Sequence, residues 1–145
     1  MECLTCKSVS GEEPICPVPA IHEGRFWLIE HAYPTKLKGW LVLPLKRHAS
    51  ALHELTGEEF AELGILLERC SKLLFDELDC EKEYAACFYE AQGFQHVHVH
   101  VIGRPKDLPD ESKGPGIFAM LKASEQDSIP KEGIAAFCET LRQRF

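Results

Sequence analysis

The stretch His96-Val97-His98-Val99-His100-Val101-Ile102 alternates histidine with aliphatic residues. Alternation with a period of two predicts a β-strand, because successive side chains of a strand point to opposite faces of the sheet. We therefore expect the valines to face the core and the imidazoles to form a row on the other face. Histidine occupies 7 of 145 positions, so chance is a poor explanation of the row, and we interpret it as a functional feature.

The residues around this stretch predict further strands. Residues 25–30 are apolar and aromatic, and residues 39–45 read Gly-Trp-Leu-Val-Leu-Pro-Leu, so both are predicted strands with a turn at 33–35 between them. Residues 84–90 form another strand-like run, and the glycine-bearing connection 91–95 links it to the histidine stretch. We expect these last two strands to pair as a hairpin.

A long helix is predicted in the middle of the chain. Thr56 and Glu59 have the spacing of a capping box, and leucines at helical spacing follow them. This pattern predicts a helix over residues 57–78.

The C-terminal part of the chain is predicted to be a loop followed by helices. Residues 104–116 are rich in proline, glycine and charge, and the apolar segment 117–123 is a short helical candidate. Pro130 suits the first turn of a final helix that runs towards Arg144. This order of elements predicts an α+β fold, in which helices pack on an antiparallel sheet.

Composition narrows the class of protein. A length of 145 residues with 45% apolar residues fits a single domain, and a formal charge of −7 argues against binding to duplex nucleic acid. The first ten residues lack the pattern of a signal peptide, and no apolar run reaches the roughly 20 residues that span a bilayer. Seven irregularly spaced cysteines do not resemble a disulfide framework. We expect a cytoplasmic protein with reduced thiols and no membrane partner.

A row of three imidazoles suits several kinds of chemistry. The unperturbed pKa of histidine lies near neutrality, so an imidazole can attack as a nucleophile, donate a proton or bind a metal ion. A phosphorus centre fits the row well. The middle ring can attack phosphorus through one nitrogen while its neighbours hydrogen-bond the phosphate oxygens. The other nitrogen of the attacking ring must then donate its proton to a fixed acceptor.

A second candidate site lies at the N-terminus. Cys3 and Cys6 have a spacing that allows two thiolates to bind one zinc ion. The other cysteines are scattered, so further ligands must be histidines, for which His48 and His96 are the candidates, or Cys16. The alternative is an N-terminus with two free thiols.

These residues resemble the histidine triad (HIT) family, whose motif is His-φ-His-φ-His-φ-φ with φ apolar. Residues 96–102 match the motif at every position. Cys3 and Cys6 resemble the cysteine pair of the zinc-bearing bacterial branch, residues 39–48 resemble the strand and basic turn before its ligand histidine, and Gln92 stands where glutamine is common. The similarity covers residues 1–104 of a single domain, and residues 105–145 look like a C-terminal extension.

The resemblance implies a fold, a reaction and a set of roles. The HIT fold has an antiparallel sheet of about five strands, and members are homodimers. They cleave adenine or guanine nucleotides at the α-phosphate, as hydrolases of dinucleoside polyphosphates or nucleoside phosphoramidates or as nucleotidyl transferases. His98 would be the nucleophile, forming a nucleotidyl-histidine, and His100 would contact the phosphate and help to protonate the leaving group. Gln92 would contact the phosphate or the bridging oxygen. A structural zinc ion would be held by Cys3, Cys6, His48 and His96.

The chain departs from the family pattern at three positions. Gly93 stands where relatives carry the serine or threonine that assists the leaving group. His31, with Glu30 beside it, stands where an aspartate usually binds the ribose hydroxyls. Trp40 replaces a histidine found in several relatives, so the triad is expected to lose a polar neighbour while the indole packs against the sheet.

Two alternatives to such an enzyme remain open. The chain would be a nucleotide-binding regulatory protein if it kept the fold without turnover. It would be a zinc-dependent hydrolase if the histidines of the strand bound a catalytic metal ion directly.

Overall fold

A computed structural model describes residues 2–145. Its centre is an antiparallel sheet with the strand order β1-β2-β3-β5-β4. The strands are β1 (His22–Glu23), β2 (Leu28–His31), β3 (Trp40–Pro44), β4 (Cys80–Ala86) and β5 (His98–Pro105). The α-helices are α1 (Leu4–Ser10), α2 (Gly57–Glu77) and α3 (Lys131–Arg142), and the 3₁₀ helices are Leu52–Glu54, Asp110–Ser112 and Gly114–Met120. The predicted fold class, α+β with a five-stranded antiparallel sheet, is confirmed.

One face of the sheet forms the main hydrophobic core with α2 and α3. Val97, Val99 and Val101 are all buried in this core, as the alternating pattern predicts. Leu74 of α2 and Leu141 of α3 are fully buried against the same cluster. The helix α3 is therefore part of the core that supports the strand of histidines.

The capping box at the start of α2 is present. The Thr56 side chain accepts a hydrogen bond from the Glu59 backbone N–H, and the Glu59 carboxylate accepts one from the Thr56 N–H. Two free N–H groups at the start of the helix are satisfied in this way. The helix ends at Glu77, one residue before the predicted end.

The predicted bounds of the two hairpin strands were wrong. The strand β4 covers Cys80–Ala86 rather than 84–90, because charged residues on its exposed edge hide the apolar alternation. The strand β5 begins at His98 rather than His96 and continues to Pro105, where it still pairs with β4. The N–H of Val97 donates instead to the carbonyl of Ala49. The chain bends at that point and separates His96 from the two later histidines.

The segment after β5 folds back over the opposite face of the sheet. Residues 117–123 do not form an α-helix, because the chain forms a 3₁₀ helix over Gly114–Met120 instead. Ile117 of this helix is buried against Trp40 and Ile102. The final helix begins at Lys131, and Pro130 is its N-cap residue. The C-terminal segment thus covers both faces of the sheet.

Within residues 2–145, no helix combines the length and the apolar character that crossing a membrane requires.

Candidate active site and metal centre

A cavity of about 490 Å³ opens on the face of the sheet that carries His98 and His100. The floor of the cavity is formed by neighbouring residues of three strands, because Glu30 is paired with Val42 and Val42 is paired with His100. One step along the sheet, Pro44 is paired with His98. All five residues line the cavity. The sheet therefore places Glu30, His98 and His100 on the same cavity.

The His98 ring is oriented by the backbone of His96. Its Nδ1 lies 2.6 Å from the His96 carbonyl oxygen, which can only accept a hydrogen bond. The proton of the neutral ring is therefore on Nδ1, and Nε2 keeps its lone pair. Burial lowers the pKa of His98, which favours this neutral form.

The His100 ring has the opposite tautomer. The indole N–H of Trp40 donates to Nδ1 of His100 at 2.9 Å. Burial is the main cause that lowers the pKa of His100 to about 4, and the neighbouring His98 adds to the effect. The expectation that Trp40 leaves the triad without a polar neighbour was wrong, because its indole both packs and donates a hydrogen bond.

Three segments outside the sheet complete the cavity wall. Thr5 and Ser8 of α1 line one side, and Phe88 and Tyr89 of the connection after β4 line another. Phe118 and Lys122 close the cavity from the C-terminal segment, and the Phe118 ring lies 5.0 Å from the His100 ring. These contacts were not predictable from the sequence, because the period of a strand predicts which residues share a face but not which distant loops cover that face.

The four predicted metal ligands lie close together at the N-terminus of α1. The ligand atoms of Cys3, Cys6, His48 and His96 all lie within 4.8 Å of one another. Nδ1 of His96 lies 3.5 Å from Cys3 Sγ, 3.4 Å from Cys6 Sγ and 3.3 Å from His48 Nδ1. The edges of a tetrahedral zinc site with two sulfur and two nitrogen ligands are about 3.3–3.8 Å. The spacing of these atoms fits such a site.

The tautomer of His96 also fits metal binding. Its Nε2 lies 2.7 Å from the Leu45 carbonyl oxygen and therefore carries the proton. The lone pair of Nδ1 then faces the two sulfur atoms. A hydrogen bond from the far nitrogen to a carbonyl is the usual way in which proteins orient a ligand histidine.

The other ligands are held by short local motifs. Cys3 is the N-cap residue of α1, and its sulfur accepts a hydrogen bond from the Cys6 N–H at 3.3 Å. The turn before His48 is fixed by Arg47, whose guanidinium donates to the buried Glu59 carboxylate at 2.7 and 3.0 Å. The capping box of α2 and the metal cluster are therefore joined through one ion pair.

Glu30 and His31 differ in the contacts that their side chains make. His31 is buried, and its Nδ1 donates to the Ala32 carbonyl while its Nε2 accepts from the Gly39 N–H. Burial is the main cause that lowers the pKa of His31 to about 4. Both ring nitrogens are thus engaged with the backbone, although the ring borders the cavity. Glu30 presents its carboxyl group to the cavity, and burial raises its pKa.

Gln92 and Gly93 lie beside the cavity rather than in its wall. Among residues 2–145, the set that lines the cavity includes neither Gln92 nor Gly93, and Gln92 is exposed. Gly93 has a φ of 84°, and its carbonyl oxygen accepts a hydrogen bond from the Leu4 N–H at 2.9 Å. The observed contact of Gly93 is with α1, and the substrate contacts of both residues stay predictions.

Comparison with known proteins agrees with this fold. The chain is 29% identical over 111 residues to the adenosine 5'-monophosphoramidase of Schizosaccharomyces pombe. The aligned region covers 74% of this chain and 77% of that protein. Two solved structures have the same fold. A histidine triad protein of Sinorhizobium meliloti has a TM-score of 0.70 with 21% identity, covering 87% of this chain and 88% of that one. A zinc-bound histidine triad protein of Mycobacterium smegmatis has a TM-score of 0.65 with 19% identity, covering 99% and 97%.

The fold and the row of imidazoles define a histidine triad protein. Residues 2–113 match the family described as "Scavenger mRNA decapping enzyme C-term binding". The chain belongs to that family and to the histidine triad proteins, as the motif at 96–102 predicts.

Proposed function

We propose that this chain is a nucleotide-binding hydrolase that cleaves its substrate at the α-phosphate through a nucleotidyl-histidine at His98. The observation that carries the proposal is the hydrogen bond from His98 Nδ1 to the His96 carbonyl, because it leaves the lone pair of Nε2 free on a residue that lines the cavity. The name of the Schizosaccharomyces pombe relative, an adenosine 5'-monophosphoramidase, supports this class of reaction.

The reaction has two displacements at phosphorus. His98 Nε2 forms a bond to the α-phosphorus, and the bond from phosphorus to the leaving group breaks, with the electron pair going to the leaving group, which takes a proton from solvent water. The imidazole of the intermediate carries a positive charge, which the His96 carbonyl stabilises through Nδ1–H. Water then attacks phosphorus and loses one proton to the solvent. The bond from nitrogen to phosphorus breaks with its electron pair returning to Nε2, and a nucleoside monophosphate leaves with the neutral ring restored.

Positive and donor groups for the phosphate come from two directions. His100 contributes a neutral ring beside His98, at 5.1 Å between ring centroids. Because the pKa of His100 is near 4, we assign it contact with phosphate oxygens rather than proton transfer to the leaving group. Lys122 brings a cation to the cavity from the C-terminal segment. Lys122 is thus a cation placed to attract the phosphate, within a wall that also carries Glu30 and Glu90 and in a chain with a net charge of −7.

The nucleoside part of the substrate is recognised by the remaining walls. Glu30 is suited to accept hydrogen bonds from the ribose hydroxyls. His31 is not, because both of its ring nitrogens already form hydrogen bonds with the backbone. Phe88, Tyr89 and Phe118 offer aromatic surface to the base. These contacts fit an adenine or guanine nucleotide.

Cys3, Cys6, His48 and His96 are proposed to hold a structural zinc ion. All four positions of a tetrahedral site are then supplied by the protein, which is the arrangement of structural zinc rather than catalytic zinc. Bound there, zinc supplies a cross-link between α1, the turn at His48 and the start of the histidine strand.

We further infer a cytoplasmic homodimer. The strand β4 lies at the edge of the sheet, with one side of its backbone available to a second copy of the chain. No disulfide joins the cysteines among residues 2–145, which supports a reducing compartment. Light scattering of the purified protein tests the dimer.

Trapping the intermediate tests the proposed reaction. The protein is incubated briefly with adenosine 5'-monophosphoramidate or diadenosine triphosphate, quenched and digested, and the peptides are searched by mass spectrometry for an adenylyl group on His98. We expect the adduct in the unmodified chain and its loss in His98→Gly. His53→Ala, which changes an exposed histidine, is the matched control and should keep it.

Each negative result has a definite meaning. Nucleotide binding with neither adduct nor turnover would identify a nucleotide-binding regulatory protein. Turnover that survives His98→Gly and stops with a chelator would identify a zinc-dependent hydrolase. Either outcome would overturn the proposed reaction.

A further inference from the structure

Trp40 lies where it can control the chemistry of a triad histidine. It is fully buried in β3 and is the diagonal neighbour of His100, since Trp40 is paired with Ile102 and Val42 is paired with His100. The indole Nε1 lies 2.9 Å from Nδ1 of His100. An indole nitrogen always carries a hydrogen and has no lone pair to accept with, so Nδ1 of His100 must be the acceptor.

This contact determines which nitrogen of His100 carries the proton. A neutral imidazole has one N–H, and because Nδ1 accepts from Trp40, that N–H is at Nε2. His98 has the reverse arrangement, with its proton on Nδ1. Two adjacent rings of the same strand are therefore fixed in opposite tautomers, one with a free lone pair and the other with a free N–H.

We propose that Trp40 is a positioning residue that holds His100 as the Nε2–H tautomer, so that His100 donates a hydrogen bond to a phosphate oxygen of the nucleotide attacked by His98. This inference rests on the proposed function for the identity of the acceptor. The tautomer itself follows from the contact and does not depend on a substrate.

Packing around the two rings supports a fixed geometry. The His100 ring lies at 88° to the indole, with 5.8 Å between centroids. Phe118 packs edge-on against both rings, at 5.1 Å from Trp40 and 5.0 Å from His100. His100 is therefore confined by aromatic surfaces as well as by the hydrogen bond. The low pKa of His100 keeps the ring neutral at pH 7, which is the state in which a tautomer can be selected.

The chain offers a matched control for a Trp40 substitution. Trp27 is also fully buried, and its indole N–H donates to the Glu59 carbonyl at 2.8 Å. Trp27→Phe and Trp40→Phe therefore remove the same chemical group from two equally buried sites. Only Trp40 contacts a histidine through that group among the described residues.

The first experiment measures the tautomer without substrate. In ¹⁵N-labelled, metal-loaded protein at pH 7, long-range ¹H–¹⁵N spectra of the histidines distinguish a protonated nitrogen from an unprotonated one. We expect His100 to be protonated at Nε2 in the unmodified chain and in Trp27→Phe, and to become a mixture of tautomers in Trp40→Phe. Trp40→His, which again offers an N–H, should restore at least part of the Nε2–H form. An unmodified chain with the proton on Nδ1, or an unchanged ring in Trp40→Phe, would overturn the proposal.

The second experiment measures turnover of adenosine 5'-monophosphoramidate. Loss of one oriented donor to a charged phosphate lowers kcat by about tenfold in Trp40→Phe, with a smaller change in KM. Trp27→Phe should change kcat much less at equal folded fraction. An equal loss in both variants would reject the positioning role and leave a purely structural one. If the unmodified chain has no turnover, the proposed function fails, and the tautomer spectra still decide whether Trp40 orients His100.

Discussion

His96 and His98 are coupled through a single hydrogen bond, in which the carbonyl oxygen of His96 accepts from Nδ1 of His98 at 2.6 Å. The side chain of His96 faces Cys3 and Cys6, so the backbone of one proposed metal ligand orients the proposed nucleophile. A second connection runs through α1, because Cys3 caps this helix and Thr5 lines the cavity. The metal cluster and the cavity are therefore parts of one structural unit.

Removing the metal should weaken both stability and nucleotide binding. In Cys6→Ser, we expect metal content to fall and Tm to drop by about 5 °C or more, which is roughly 2 kcal/mol for a domain of this size. Affinity for adenosine monophosphate should fall as well, because α1 is part of the cavity wall. Metal analysis, thermal unfolding and calorimetry measure these three effects. Cys80→Ser, at a buried cysteine of β4, should retain the metal, and unchanged metal content in Cys6→Ser would contradict the assignment.

Replacing Gly93 should loosen α1. A Cβ at this position would lie 3.0 Å from Leu4 Cδ1, and the φ of 84° is unfavourable for other residues. Gly93→Ala should therefore lower the free energy of unfolding by about 1–2 kcal/mol. Gly64→Ala, in the middle of α2 with open space around its Cβ, should raise it by about 0.5–1 kcal/mol. Urea unfolding of the two variants checks the opposite signs, and equal effects would refute the account of Gly93.

The ion pair between Arg47 and Glu59 should make stability depend on pH. The Arg47 hydrogen bonds are the main cause that lowers the pKa of Glu59 below its ordinary value of 4.5. A lowered pKa means that the stabilisation is complete above pH 4.5 and is lost as the pH falls through the lower pKa of the folded state. Glu59→Gln, which can keep the capping box, should therefore be much more destabilising at pH 7 than at a pH below the lowered pKa of Glu59.

The neighbouring Glu58 provides the control for that experiment. Its carboxylate is exposed and lies 3.4 Å from Arg25, so Glu58→Gln should have little effect at either pH. Thermal unfolding across the pH range compares the two variants. A pH-independent loss in Glu59→Gln would show that the charge of Glu59 is not what fixes the turn before His48.

Glu30 should determine preference for ribonucleotides. If its carboxylate binds the ribose hydroxyls, Glu30→Gln should reduce the ratio of affinities for adenosine and 2'-deoxyadenosine monophosphate by about tenfold. Glu90 also lines the cavity, so Glu90→Gln controls for the loss of a negative charge. Calorimetric titration with both nucleotides measures the ratio. The same ratio in Glu30→Gln as in the unmodified chain would exclude this contact.

The sequence predicted those features that depend on local periodicity or on short motifs. The valines of the histidine stretch are buried, the capping box forms, and the cysteine pair meets His48 and His96. The contacts that depend on long-range packing were not predictable. A tryptophan in a strand is consistent with simple burial, and only the register of β3 against β5 places its N–H on His100.

The error at β4 has a related physical origin. Its residues 80–83 are largely polar because they lie at the sheet edge, so the alternation expected of a half-buried strand is absent there. The bend at His96 and Val97 was not predicted because the apolar alternation there is too regular rather than absent. The sequence alternates without interruption, although the backbone leaves the sheet before His98.

The placement of Phe118 and Lys122 has a consequence for how such proteins diversify. Both residues contact the cavity from a segment beyond residue 113, where the match to the family ends. Two of the side chains that line the cavity are thus encoded outside the stretch that carries the triad, whereas Glu30, Phe88 and Tyr89 lie within it. Substitutions beyond residue 113 are therefore expected to alter which ligands fit the cavity while the imidazoles of the motif stay unchanged.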